Sequence, residues 1–272
     1  MKPSHAFITG IAGFAGSFLA EELLERGYQV SGSVVGRESL RNTKKIQDEI
    51  KLVKLDVQKP NECLRRLKQT NPDYIFHLAA FSSVGQSFKN ERLTFKVNFE
   101  GTQNVLSAAL QLNNLKKFVF ISSADVYGTF SPANKTLTEN QPFNPISPYA
   151  ISKAAAEYIC NHYFNRHNLP VAVARSFNHT GPRQNDNFVV ASFAKQIAQI
   201  EKNGREPIIH VGDLTAKRDF SDVRDIVTGY RLLAEKGHPG EVYHLCSGKA
   251  VSIKQILELL LKLSEKTLIV KT

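Results

Sequence analysis

The sequence predicts an α/β protein built on a doubly wound parallel sheet with a smaller C-terminal lobe, and three observations predict it. Short β-branched and aromatic runs alternate with amphipathic helical patterns through the first two thirds of the chain, which is the signature of βα units. A glycine-rich turn follows the first strand pattern and opens the first helix pattern. The length of 272 residues, with 42% hydrophobic and 22% charged residues, is enough for a large core and excludes a disordered chain or a disulfide-stapled miniprotein.

In chain order, strands are expected near 5–9, 28–35, 51–55, 73–77, 117–122 and 170–175. Helices are expected near 14–26, 60–69, 93–112 and 149–167, where apolar positions recur at three and four residues, so that each helix can cover one sheet face. Right-handed crossovers then place ligands at the carboxyl ends of the strands. Past residue 175 the pattern loosens. A loop with Gly181-Pro182 precedes a helix near 189–203, a strand near 208–211, a helix near 223–236, a strand near 242–246 and a final helix over 252–264. The division expected is a dinucleotide-binding part over 1–175 and a substrate-binding lobe over 176–272, interleaved with it.

Thirty-five Lys and Arg against 25 Asp and Glu give a formal net charge of +10. The basic residues are scattered, and the densest cluster, 37–45, is broken by Glu38 and Leu40, so nucleic acid is not the expected partner. The surplus instead favours phosphorylated small molecules. Cys63, Cys160 and Cys246 are far apart and in no metal-ligand spacing, which predicts buried free thiols in a reducing compartment and no metal site. The first residues enter an apolar strand pattern without a leader-like segment, and the run 256–263 is too short and too charged for a membrane span, so a cytoplasmic protein is expected.

The turn reads Gly10-Ile11-Ala12-Gly13-Phe14-Ala15-Gly16. Glycine lets backbone approach a pyrophosphate closely, and a helix N-terminus supplies N–H groups and partial positive charge, so a Rossmann-like nucleotide site is expected here. The cofactor's identity depends on the end of the second strand, where an acid would bind the ribose hydroxyls. The stretch Val34-Val35-Gly36-Arg37 has no carboxylate and carries a cation, which favours NADP over NAD, although Arg37 reads equally well as a solvated loop residue. Asp56 and Val57 after the third strand can meet the adenine, and the small residues of Leu78-Ala79-Ala80 allow close approach after the fourth.

Ser122-Ser123 ends the fifth strand, and Tyr149 and Lys153 lie four apart on one face of the next long helix. A phenol ordinarily titrates near 10, and an adjacent ammonium and an oxidised nicotinamide both favour its phenolate. Tyr149 can then move the proton that accompanies hydride transfer while Ser123 orients the substrate oxygen. His179 reads as a hydrogen-bonded loop residue rather than a catalyst.

With Gly-x-x-Gly-x-x-Gly, Val97-Asn98-Phe99-Glu100-Gly101-Thr102, Ser122-Ser123-Ala124-Asp125-Val126-Tyr127-Gly128 and Tyr-x-x-x-Lys in this order, the chain resembles an extended short-chain dehydrogenase/reductase of the NAD(P)-dependent epimerase/dehydratase family. Residues 175–182 and 218–225 are similar to the GDP-mannose 4,6-dehydratase and GDP-4-keto-6-deoxymannose reductase branch, and more to the reductase. The resemblance implies Ser123, Tyr149 and Lys153 as catalytic residues and Asn98 as a cofactor-side residue. It implies Ser83, Ser123, Asn178, Phe188, Val189, Lys195 and Arg218 as the nucleotide-sugar site. Arg218 suits a diphosphate and Asn178 can both donate and accept, whereas Lys195 reads equally as a surface lysine.

Dehydratases of the branch carry Glu where Asp125 stands; aspartate is shorter by about 1.5 Å and is expected to position backbone or a sugar hydroxyl rather than act as general base. Family members continue past the last helix, so part of the substrate clamp is expected to be absent or rebuilt. The resemblance also implies a homodimer through the 93–112 and 149–167 helices. The expected activity is an NADPH-dependent reduction of a GDP-linked 4-keto-6-deoxyhexose. A 4,6-dehydratase, a 4-epimerase and a non-catalytic dinucleotide-binding protein are the alternatives.

Overall fold

A computed structural model describes residues 3–36, 39–129, 136–203 and 206–271. The elements run β1 (His5–Thr9), α1 (Phe14–Glu25), β2 (Gln29–Val34), a 3-10 helix (Arg41–Ile46), β3 (Ile50–Lys54), α2 (Pro60–Thr70), β4 (Tyr74–His77), α3 (Val84–Ser87), α4 (Glu91–Phe95), a π-type turn (Lys96–Glu100) and α5 (Gly101–Ala109). Next come β5 (Lys117–Ser123), a 3-10 turn (Ala124–Tyr127), α6 (Pro148–His167), β6 (Val171–Ser176), β7 (Asn178–Thr180), α7 (Val189–Asn203), β8 (Ile208–His210) and β9 (Lys217–Asp222). The chain continues through α8 (Val223–Lys236), β10 (Val242–Leu245), β11 (Ala250–Ser252), α9 (Ile253–Leu263) and β12 (Ile269–Lys271). Two compact units result, residues 1–177 with 224–245, and residues 178–223 with 246–272.

The first unit carries a seven-stranded sheet in the order β10-β6-β5-β4-β1-β2-β3, with every pairing parallel. Side chains of a strand alternate between faces, so Phe7, Ile75, Phe118 and Phe120 point one way, into a core shared with Cys63 and Leu67 of α2, Val105 and Leu106 of α5, and Ala156 and Cys160 of α6. Ala6, Ile8, Phe76 and Val119, of opposite parity, are also buried, as both faces of a parallel sheet must be. Each fully buried phenylalanine contributes about 1.5–3 kcal/mol. The order changes direction between β4 and β1, the place where ligands of such sheets bind beyond the strand ends.

Local signals explain the helix limits. Ser147 accepts from the Ala150 N–H at 3.1 Å, Pro148 occupies the first turn, and Asn168 ends α6 in the left-handed region at φ 54°. The helix expected over 93–112 is instead α4, a π-type turn and α5 in succession. Its register is broken where buried Asn98 accepts from the Phe81 N–H at 2.7 Å and donates to Ser152 Oγ at 2.9 Å.

The second unit is a smaller assembly of α7 and α9 with two short sheets, β11-β9-β7 and β12-β8. Its core is Phe193, Ile197 and Ile200 of α7 against Ile209, Ile253 and Leu257. A capping box of Ser252 and Gln255 starts α9.

The structure adds detail that the sequence reading lacked. Within the interleaving, β10 pairs with β6 and carries 224–245 into the first unit. Charged β9 (Lys-Arg-Asp-Phe-Ser-Asp), with β7 and β11, lacks the alternation of a strand and exists through pairing with its neighbours. Cys246 is exposed, whereas Cys63 and Cys160 are buried, as expected of free thiols. Among the described residues no helix is long and apolar enough to cross a membrane.

Candidate active site

The turn between β1 and α1 is closed by its own backbone: the Gly13 N–H donates to the Gly10 carbonyl at 3.0 Å, and the Gly10 N–H donates to Ser33 Oγ at 3.0 Å. A methyl group on Gly16 would stand 2.3 Å from the Gly10 carbonyl oxygen, so only glycine lets the helix start this close to the strand. Gly10 itself sits at φ +73°. No side chain caps α1 at Gly13, and its first turn holds no acid. An N-terminus of that kind, beside backbone that approaches freely at Ala79 and Ala80, fits the diphosphate of a dinucleotide.

The expected cofactor residues divide. Gly10, Gly13, Phe14, Ala15 and Gly16 form the turn, and Leu78, Ala79 and Ala80 leave β4 next to it, with the Ala79 N–H bonded to Thr9 Oγ1 at 3.0 Å. The Asp56 carboxylate turns onto Gln58, accepting from its N–H at 3.0 Å, and Val57 is buried. Asn98 has both side-chain ends committed to Phe81 and Ser152. Arg37 lies outside the described residues. The 3-10 helix 41–46, which the sequence pattern did not announce, is tied to the turn by Asn42 Nδ2 donating to the Ala12 carbonyl at 3.1 Å.

Beyond the end of β5 the predicted catalytic residues converge. Tyr149 and Lys153 are buried, and the Ser123 side chain, whose hydroxyl accepts from the Asp125 N–H at 3.2 Å, stands beside the Tyr149 phenol. Lys153 Nζ donates to the Ile121 carbonyl at 2.7 Å and lies 5.0 Å from the centre of the Phe120 ring. Burial pushes the phenol well above its ordinary value, the Asp125 carboxylate pushes the same way, and Ser123 opposes them. Here desolvation dominates the phenol and the Lys153 ammonium is held on a carbonyl, whereas the expected lowering invoked that ammonium together with an oxidised nicotinamide. Burial brings Lys153 itself down to about 8 against Cys160 and Glu157.

Three polar groups that sequence reasoning did not assign surround this pair. Glu157, one helical turn beyond Lys153, accepts from the Ser122 hydroxyl and forms a fork with Arg175, whose Nη2 is 2.7 Å away; both side chains are 5% exposed. Buried His77 is clamped between Thr9 Oγ1 at 2.8 Å and Thr102 Oγ1 at 3.0 Å, and burial drives it down to about 3. Glu157 was findable from the i, i+4, i+8 stripe Tyr149–Lys153–Glu157. Arg175 and His77, both on strands, gave no such signal.

In the second unit, Asn178, Phe188, Val189 and Arg218 line one cavity of about 290 Å³, with Asp213 and Phe220. Asp213 accepts from the Thr215 N–H at 2.8 Å, which with the Thr215 hydroxyl and Arg218 holds its carboxyl low. Lys195 does not line that cavity; it is exposed and paired with Asp186. Ser83 caps α3, accepting from the Gln86 N–H at 3.3 Å.

A GDP-6-deoxy-D-mannose reductase of Pseudomonas aeruginosa is 39% identical over 194 residues, which is 71% of this chain and 64% of that protein, so the chain matches less than two thirds of the relative's length. A GDP-mannose 4,6-dehydratase of Vibrio cholerae is 31% identical over 271 residues, covering 95% of the chain and 71% of the relative. The structure of RMD from Pseudomonas aeruginosa complexed with NADPH superposes with a TM-score of 0.83 at 33% identity, over 98% of this chain and 84% of that one. The family model of GDP-mannose 4,6 dehydratase matches residues 7–272, and the chain belongs to that family of extended short-chain dehydrogenases/reductases.

Proposed function

We propose that this protein is an NADPH-dependent reductase of a nucleotide-linked 4-keto-6-deoxyhexose, with GDP as the nucleotide. When bound, the nicotinamide supplies a hydride. The chain's own part is to hold the ketone and deliver a proton: Ser123 hydrogen-bonds the C4 oxygen, and the Tyr149 phenol donates its proton to that oxygen as the alkoxide develops. The carrying observation is the convergence of Ser123, Tyr149 and Lys153 at the end of β5, with the phenol buried and desolvation favouring its protonated form, the state from which a reduction starts. Asp125 is exposed and shorter than a glutamate, which suits a positioning role better than the general-base role of a dehydratase. Identity is also higher to the reductase than to the dehydratase.

The glycine turn would hold the diphosphate of the dinucleotide, and the absence of a carboxylate at the end of β2 favours the 2′-phosphorylated form, as does the NADPH complex of RMD. In the second unit, Arg218 would pair with the sugar nucleotide's diphosphate, Asn178 would exchange hydrogen bonds with it, and Phe188 and Val189 would give the base an apolar wall. Exposed Ile151 and Tyr158 on α6, with Val84, Phe88 and Leu93 on α3 and α4, supply an apolar surface for a homodimer.

The second reading, a 4,6-dehydratase, is favoured by the length of the match, since the Vibrio enzyme aligns over 95% of the chain. The two separate on cofactor balance. Given GDP-4-keto-6-deoxymannose and NADPH, a reductase oxidises one NADPH per product with a mass gain of two hydrogens; conversion of GDP-mannose without net NADPH loss overturns the reading in favour of the dehydratase.

A further inference from the structure

The last three residues of β5 each hold a different residue of one stripe on α6. The Ile121 carbonyl receives Lys153 Nζ at 2.7 Å and the Ser122 hydroxyl donates to Glu157, while the Ser123 side chain stands beside the Tyr149 phenol. Helix residues four apart share a face, so these contacts fix both the rotation and the axial position of α6 against the strand. The middle contact, at Glu157, is secured from the neighbouring strand. Arg175 is the register partner of Ser122 across the β5–β6 ladder, and its Nε reaches both Glu157 oxygens at 3.0 Å. The remaining guanidinium donors go to the Tyr127 hydroxyl and the Glu139 carbonyl, so Arg175 is fully committed behind the pair.

We infer that Glu157 is a positioning residue for Tyr149 and Lys153, holding α6 in register on β5 and keeping a negative charge one helical turn from the Lys153 ammonium. The inference rests on the proposed acid–base role of Tyr149. A buried ion pair is weak evidence of stabilisation, because desolvation offsets the attraction, so its retention here fits a role in alignment and charge. The charged and titratable groups facing the pair are few: Cys160 and Glu157 on α6, His77 on β4, Arg175 on β6, Tyr127 in the turn after β5, and Asp125 and Tyr230 toward Tyr149. Of these, Glu157 and the poorly ionised Cys160 favour the charged form of Lys153.

Kinetics of the full chain with NADPH and GDP-4-keto-6-deoxymannose test this. Glu157→Gln keeps the shape and removes the charge, so the basic limb of kcat/KM should move to lower pH by about half a unit or more. Glu157→Asp, which keeps the charge, should return the limb toward the parent even where kcat falls. A parental limb in folded Glu157→Gln, or the same displacement in both variants, overturns the inference. Should Glu157→Gln not fold with Arg175 left unpaired, the double variant Glu157→Gln/Arg175→Met removes that guanidinium, and its limb is read against Arg175→Met alone; a limb no lower in the double variant overturns the inference. Ser122→Ala keeps both charges and removes only the middle contact; kcat should fall about three- to tenfold with the limb in place, and an unchanged kcat overturns the positioning role. Turnover by Tyr149→Phe would instead sink the acid–base reading itself, independently of Glu157.

Discussion

The end of β5 in the first unit and the surface of the second unit hold their charged groups in opposite ways. Arg175 and Glu157 are 5% exposed and multiply bonded, and Lys153 and Tyr149 are buried beside them. Lys195 and Asp186 are 54% and 43% exposed, and Arg218 rests one Nη on the carbonyl of its neighbour Lys217. A solvent-facing pair is worth about 0–1 kcal/mol, whereas opening a buried one costs about 3–5 kcal/mol. The groups proposed to move a proton sit where packing fixes their geometry and excludes water. The groups proposed to grip a phosphorylated ligand remain hydrated.

The difference can be broken most decisively at Tyr149. Tyr149→Phe keeps the ring and removes the proton, so kcat should fall about 10²- to 10⁴-fold, while NADPH affinity, followed by fluorescence titration, stays within about twofold. An active variant would show that the buried cluster is scaffold rather than machinery. A smaller effect of a different kind is expected in the second unit. Arg218→Ala should raise KM for the GDP-sugar by about ten- to a hundredfold, the loss of a charge-assisted contact of about 1.5–3 kcal/mol, with NADPH binding intact. Lys195→Ala should change KM less than that; a reversed order would move the nucleotide contact from the cavity to α7.

The smallest effect concerns stability. His77 titrates at about 3 when folded against 6.5 when free, so between those values the unfolded chain binds more protons. Stability therefore falls as pH drops through that window, by at most ~1.4 kcal/mol per pH unit. His77→Asn should flatten the slope of denaturation midpoint against pH between about 6.5 and 5. An unchanged slope would mean that other groups account for the acid sensitivity.

Much of the first unit was legible because its signals are local. Alternating β and α patterns place β1 to β6, the glycine turn announces α1, and Tyr149 and Lys153 are joined by helical spacing alone. Other features carry no local signal. Residues 224–245 look like part of the C-terminal lobe, yet β10 joins β6 because a sheet edge accepts whichever strand completes its ladder. Asn98 breaks a helix for two partners, one on the loop after β4 and one on α6.

By itself the sequence determined the fold class, the order of the principal βα units and the residue types available for proton and phosphate chemistry, since these follow from periodicity, glycine freedom and spacing. Only the tertiary structure decided the acidity of those groups. Burial depends on what packs around a side chain from distant strands and helices, and at Tyr149 it pushes the phenol up. It also decided that Glu157, one polar residue among many on α6, meets an arginine 18 positions away and the last turn of β5.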